Sequence, residues 1–158
     1  MNGYDSQIID HLKDRKFKSI LDVGCGDGDL IRAIQEEFPR VSVAGCDISD
    51  KCKYCDITKK LPYNANSYDI VCTAAVLIYF SDEMAERILR KIKRVARKEV
   101  FFVEMHNDKE TSIDYSIRDY EKILSELKFK NIQCEPLKCG WPGANNCKDC
   151  GYLISAKV

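Results

Sequence analysis

The chain has no surplus of charge of either sign: 25 Lys and Arg balance 25 Asp and Glu, for a formal net charge of zero. Without a basic excess there is no global electrostatic argument for nucleic acid or for an anionic membrane as partner. No apolar run approaches the roughly 18 residues that a membrane helix needs. Residues 1–15 are polar with scattered apolar positions and lack the basic-plus-apolar pattern of a secretory leader. A cytoplasmic setting is therefore expected. The cysteine count is odd, at nine, which in that setting argues for reduced thiols rather than a disulfide framework. Internal repeats, low-complexity tracts and interdomain linkers are also missing. What remains is 158 residues, 45% hydrophobic and 32% charged, the composition of a soluble globular protein. That length suffices for one domain with a real core and is too short for two ordinary ones, so one domain over 1–158 is expected.

Strand and helix patterns alternate. Residues 18–23, 41–46, 68–73 and 99–104 read as strands, and 130–135 and 151–157 as a closing strand pair. Residues 29–38 read as a helix with Leu30, Ile31, Ile34 and Phe38 on one face, and Pro39 lies just beyond its end. A second helix begins after Ser81, its expected N-cap, with Met84, Ile88, Ile92 and Val95 as a core stripe. A third is read over 114–127, with Ile117, Tyr120, Leu124 and Leu127 inward. The pattern predicts an α/β fold with a mostly parallel sheet covered by helices on both faces.

The most informative stretch is Ile20-Leu21-Asp22-Val23-Gly24-Cys25-Gly26-Asp27-Gly28-Asp29-Leu30. An apolar run reaches an acid, three glycines follow on alternate positions, and a helical pattern begins. Backbone that turns tightly and lets a ligand approach closely needs residues without a Cβ. The glycine spacing differs from a dinucleotide fingerprint, whose third glycine would fall at Asp29, and no Lys-Ser or Lys-Thr of a phosphate loop follows. Asp27 and Asp29 put negative charge where a pyrophosphate would sit, so a cationic or zwitterionic ligand fits better.

In these residues the chain resembles the class I S-adenosylmethionine-dependent methyltransferases, and among them the small type 11-like domains. Their first motif reads acid-x-Gly-x-Gly-x-Gly, met here by Asp22, Gly24, Gly26 and Gly28. The resemblance runs from about Lys18 to the C-terminus. It implies a doubly wound sheet of order 3-2-1-4-5-7-6 with the last strand antiparallel. It also implies S-adenosylmethionine as cofactor and S-adenosylhomocysteine as product. One region departs from the pattern: 47–56 is too short for the usual helix and strand, leaving at most a vestigial strand near 54–56.

The resemblance assigns further roles. Asp22, Gly24, Cys25, Gly26 and Gly28 would form the cofactor loop. Asp47 would accept hydrogen bonds from both ribose hydroxyls, as a carboxylate can, with Ile48 against the adenine. Asp56 and Ile57 would meet the adenine edge, and Thr73 and Ala74 the methionine part. Leu61-Pro62-Tyr63 followed by Tyr68-Asp69-Ile70 matches a later family run in which the acid is structural. No Asn/Asp-Pro-Pro-aromatic run and no Pro-Cys pair follows the fourth strand, which argues against nucleobase amine and pyrimidine C5 methylation. A small-molecule acceptor is the expectation, with a protein partner or homodimer left open. Where many relatives carry His in a Val-Leu-x-His phrase, this chain has Val76-Leu77-Ile78-Tyr79. A base is needed only when the nucleophile arrives protonated. The candidates for that task are Tyr79, Glu104 and His106, with a surface role for His106 as the alternative.

Two Cys-x-x-Cys pairs stand outside this scheme, Cys52 with Cys55 and Cys147 with Cys150. A tetrahedral zinc site needs four such ligands, but four strand spacings of about 4.8 Å separate the pairs in the expected order. They are kept as candidate metal ligands only, and no resident metal is assigned. Cys25, Cys46 and Cys72 fall at packing positions. Two alternatives to an enzyme follow: a non-catalytic or partner-dependent cofactor-binding subunit, and a metal or metalloid thiolate protein. The basic run from Arg87 to Lys98 reads as the solvated outer face of its helix, and His11 as structural or solvated.

Overall fold

The computed structural model describes residues 3–49, 51–106, 117–139 and 151–158. Seven runs are extended: β1 (Ser19–Val23), β2 (Ser42–Asp47), β3 (Lys53–Tyr54), β4 (Tyr68–Ala74), β5 (Ala96–Met105), β6 (Lys130–Pro136) and β7 (Gly151–Lys157). They join one sheet in the order β3-β2-β1-β4-β5-β7-β6. The first five pair in parallel, and β7 runs antiparallel to both β5 and β6. The helices among the described residues are α1 (Asp5–Lys13), α2 (Asp29–Glu37), α3 (Asp82–Val95) and α4 (Tyr120–Glu126), with a 3₁₀ turn at Leu77–Tyr79. None is long and apolar enough to cross a membrane. The strand order reverses between β1 and β4, where open α/β sheets form a crevice at the strands' carboxyl ends.

Period-two alternation sorts the strand residues into two cores. Leu21, Val23, Val71, Val100 and Phe102 face one side, where Ile88, Leu89 and Ile92 of α3 and Tyr120 and Leu124 of α4 cover them. Ile20, Ile70, Phe101 and Val103 face the other, beneath Ile8 and Leu12 of α1 and Leu30 and Ile34 of α2. Burial of such apolar surface, at about 25 cal/mol per Å², is the main force holding the layers. The Ser81 hydroxyl caps α3 by accepting the Met84 N–H at 3.3 Å.

The structure corrects three expectations. Residues 114–116 of the helix read over 114–127 lie outside the described residues, and within the described ones the helix begins at Tyr120. Arg118 pairs with His106 in an isolated bridge, and Asp119 caps the helix by accepting the Lys122 N–H at 3.1 Å. The strand read over 99–104 runs from Ala96 to Met105, because α3 passes straight into it at Ala96. The basic residues of α3 are more than a solvated face. Lys91 donates to the Ile57 and Thr58 carbonyls, Lys93 to those of Leu127 and Lys128, and Arg94 to that of Leu61. These cations tie the loop after β3 and the end of α4 to the helix. The shortened connection after β2 is borne out, with a two-residue β3 at Lys53–Tyr54.

A buried acid anchors the start of β5. Glu99 is 3% exposed and is bonded by His11 at 3.1 Å, by Arg15 at 3.2 Å and by Lys157. Burial pushes its carboxyl upward, but the bonds from His11 and Lys157 and the charges of Lys157 and Arg15 outweigh it and hold the group at about 2. A depressed folded-state value stabilises the protein above the unfolded value and loses that stabilisation as pH falls through the folded one. Glu99→Gln is therefore expected to cost about 2–3 kcal/mol near neutral pH. The deficit should shrink between about pH 4.5 and pH 2. Urea unfolding of both proteins across that range checks it, and a deficit independent of pH would contradict the ion-pair account.

Candidate functional site

β1 ends at Val23, and the chain then turns on glycines with φ of +81° at Gly24, +50° at Gly26 and +77° at Gly28. The end of β2 holds this turn. The Cys46 carbonyl accepts the Gly24 N–H at 2.7 Å and the Cys25 N–H at 3.2 Å. One residue on, the Asp47 carboxylate accepts the Gly26 N–H at 2.9 Å and the Ser49 N–H at 2.8 Å. Burial pushes Asp47 upward, but the backbone donors prevail and hold it below the usual carboxylate range. An ionised acceptor thus sits between the glycine loop and the loop after β2.

Two cavities meet at Gly24. One, of about 380 Å³, is mostly apolar, with Val23, Ile48, Ile57, Val76, Tyr79 and Phe80 in its walls and Asp47 and Asp56 as its acids. The other, of about 370 Å³, is acidic, lined by Asp22, Asp27 and Asp29 together with Tyr4, Cys25, Gly26 and Ala74. A Cβ on Gly24 would lie 2.4 Å from Val76 Cγ2, so this glycine lets the β4 turn close against the loop. A Cβ on Gly26 would meet nothing within 4 Å and would project into open space. Burial pushes the Asp22 carboxyl up to about 7, with the charges of Asp47 and Asp5 adding to the effect against a bond from Cys72. A cation in the acidic cavity would offset that cost.

The turn after β4 forms the facing wall. Ala75 takes φ of +57°, and the chain enters the 3₁₀ turn. Glu104, fully buried at the end of β5, accepts N–H bonds from Val76, Leu77 and Ile78 at 3.0, 2.8 and 3.2 Å, and lies 3.4 Å from the Thr73 hydroxyl. Burial pushes Glu104 up to about 7 against the pull of those donors. Arg118, itself buried, donates to the Leu77 and Phe80 carbonyls and to Asp82 at 2.7 Å.

The structure thus brings Asp22, Gly24, Cys25, Gly26, Asp47, Ile48, Asp56, Ile57 and Ala74 to the walls of the two cavities. Gly28 stands just behind, as the left-handed cap of α2. Thr73 is buried beneath the wall, facing Glu104 rather than either cavity. Of the candidate bases, only Tyr79 lines the groove, 68% exposed. Glu104 directs its oxygens at backbone donors. His106 Nδ1 lies 3.1 Å from both the Arg118 carbonyl and the Tyr120 N–H, a packing role. Cys52 and Cys55 diverge: Cys52 meets Cys25 at 2.9 Å, while Cys55 is buried on the apolar cavity. Cys147 and Cys150 lie outside the described residues, among which no group of three or more His, Cys, Asp or Glu could hold a metal.

Sequence reasoning missed Tyr4, which lines the acidic cavity from the N-cap position of α1. Burial, with the charges of Asp5, Asp22 and Glu104, pushes its phenol up to about 12. The four-residue spacing of Tyr4, Ile8 and Leu12 is the signal that places it on the inward face.

A methyltransferase-domain family model matches residues 21–103, just over half of the chain. No curated protein matches it in sequence. Among solved structures, human N-acetylserotonin methyltransferase in complex with S-adenosylmethionine superposes with a TM-score of 0.72 at 17% identity, over 99% of this chain and 51% of that one. Magnesium protoporphyrin IX methyltransferase from Synechocystis with bound S-adenosylmethionine gives 0.70 at 18% identity, over 98% and 79%. A Haloferax volcanii methyltransferase solved with the Trm112 activator gives 0.68 at 14% identity, over 99% and 88%. At these identities the likeness is one of fold, and the chain spans about half the length of several such structures. The chain belongs to the methyltransferase-domain family and has the fold of S-adenosylmethionine-dependent methyltransferases.

The two glycines separate stability from access. Gly24→Ala meets Val76 and a positive φ together and is expected to destabilise by more than about 2 kcal/mol. Gly26→Ala meets only its φ, worth about 1 kcal/mol. Thermal melts check the ranking, and equal losses would contradict the packing of Val76 on Gly24.

Proposed function

We propose that residues 1–158 form one domain that binds S-adenosylmethionine across the two cavities and transfers its methyl group to a small-molecule acceptor. The observation that carries this reading is the division of the groove: an apolar cavity and an acidic one joined at Gly24, with an ionised Asp47 on the boundary. A ligand with an apolar base at one end, a ribose at the middle and a cationic amino acid at the other has the matching polarity.

In this reading Asp47 accepts both ribose hydroxyls, Ile48 and Ile57 flank the adenine, and Asp56 faces its amino edge. Asp22 lies on the side of the ammonium group, and Gly26 leaves room for close approach. Bound, the cofactor supplies a methyl group on a sulfonium, an electrophile needing little acid-base help. The chain's own task is to orient the acceptor in line and exclude water, which accounts for much of the rate. Glu104 serves as a positioning residue, holding the turn that carries Val76 and Tyr79. Tyr79 is the side chain available to contact the acceptor. The residues at the end of β4 and just beyond it, Thr73-Ala74-Ala75-Val76, lack the Pro-rich run suited to nucleobase amines, which favours a small molecule. The proposed setting is the cytoplasm, where the thiols stay reduced. A second reading, a subunit that needs a partner to complete its acceptor pocket, draws on the Haloferax fold relative, which was solved in complex with an activator protein.

Calorimetric titration of the reduced protein is the test. S-adenosylmethionine and S-adenosylhomocysteine should saturate one site, and NAD should not bind. Binding without turnover of any small acceptor would favour the partner-dependent reading, and no binding by folded protein would refute both. Asp47→Ala should weaken binding by about 150-fold or more, the worth of two hydrogen bonds to a charged acceptor, and Gly26→Ala should weaken it more than it destabilises the fold. Because free Asp22 is held at about 7, a cation beside it binds better once the acid is ionised. Affinity should rise about tenfold from pH 6 to pH 8, and Asp22→Asn should flatten that slope.

A further inference from the structure

Cys25 and Cys52 stand 27 positions apart in sequence, yet their sulfurs lie 2.9 Å apart. Both thiols are free. Two thiolates on one tetrahedral zinc would be about 3.8 Å apart, given Zn–S near 2.3 Å, so the pair is too close for a shared metal of that kind. A disulfide needs about 2.05 Å, less than about 1 Å of further approach. The two thiols also differ. Cys25 is buried and donates its S–H to Cys52, and burial together with that bond pushes it far above the ordinary thiol range. Cys52 is half-buried and accepts the bond, so it is the sulfur that a small oxidant reaches.

We infer that Cys25 and Cys52 form a redox modification site, at which an oxidant of the peroxide class makes a disulfide that removes cofactor binding. The inference rests on the cofactor reading of the groove given above. In the first step the Cys52 sulfur takes one oxygen from the peroxide, giving a sulfenic acid and releasing water or alcohol. In the second, the Cys25 sulfur attacks the Cys52 sulfur, the S–S bond forms, and the sulfenic hydroxyl leaves as water with the Cys25 proton. Two thiols are oxidised by two electrons and one peroxide is reduced.

The consequence follows from where the sulfurs sit. Cys25 lies between Gly24 and Gly26 in the glycine loop, and Cys52 lies in the loop after β2, immediately before β3. Asp47 is held between these loops by the Gly26 and Ser49 N–H groups. Drawing the sulfurs together shifts one anchor of Asp47 against the other and closes the gap through which a ribose reaches its carboxylate. Dithiothreitol reverses the bond by exchange.

The test treats full-length protein with hydrogen peroxide, then maps disulfides by mass spectrometry and measures S-adenosylmethionine binding before and after. The expected result is a linked Cys25–Cys52 peptide, at least a tenfold loss of affinity, and recovery with dithiothreitol. Cys52→Ser and Cys52→Ala, changes at a half-buried thiol that lines neither cavity, should bind normally when reduced and keep that affinity after peroxide. Absence of the linked peptide would overturn the inference. So would unchanged affinity of the linked protein, or an equal loss in both Cys52 variants. Failure of the reduced wild-type protein to bind would instead count against the cofactor reading, while the linked peptide would still report on the thiol pair.

Discussion

The groove depends on how the end of β2 holds the chain leaving β1. Cys46 offers one carbonyl to two consecutive N–H groups, those of Gly24 and Cys25, and Asp47 offers its carboxylate to a third, that of Gly26. Backbone donors that leave a strand need partners, and a buried one without a partner costs more than a made bond gains. Parallel register places Val23 beside Cys46, so the next residues of both strands arrive together at the sheet's carboxyl edge. The glycines then supply the positive φ values that let three donors converge. An acid at the end of β2 is at once the clamp of the loop and the group facing the cavity.

The opposite wall is built by different means. The turn after β4 is held by a buried carboxylate, Glu104, from the neighbouring strand, and its carbonyls are held by Arg118. These two oppositely charged residues satisfy donors and acceptors of one short segment from Val76 to Phe80, while Ala75, with its positive φ, donates its N–H to the Val103 carbonyl. Their burial is expensive in isolation and is offset by these bonds. Glu104 and His106, both attractive as bases at the end of a central strand, are taken up by this framework and by the start of α4.

Much of this was legible in the chain. Alternating strand and helix periods were enough for the α/β class, and Asp22, Gly24, Gly26 and Gly28 marked the glycine loop, because both follow from local backbone requirements; the sheet order came only from the family resemblance that those residues carry. Ser81 as a cap and Asp69 as a structural acid were legible for the same reason: Asp69 accepts the Lys18 N–H at 2.7 Å and pairs with Arg97 and Lys98. The start of α4 was not, since the apolar spacing of Ile117 and Tyr120 continues past the true cap at Asp119, and only the bridge between Arg118 and His106 ends the helix there. The basic face of α3 was misread because a periodicity reports which residues point outward, not which carbonyls wait for them.

By itself the sequence determined the fold class, the position of the glycine loop and the acid that closes it. Each of these is set by residues within a few positions of one another, through Cβ sterics, capping and strand alternation. Only the tertiary structure decided which polar groups face the groove. It turned Glu104 and Thr73 inward and Tyr79 outward, brought Tyr4 over the acidic cavity, and set Cys25 against Cys52 while sending Cys55 to the core. Those outcomes depend on contacts between distant segments, where burial and hydrogen-bond satisfaction compete, and no local pattern encodes which of them prevails.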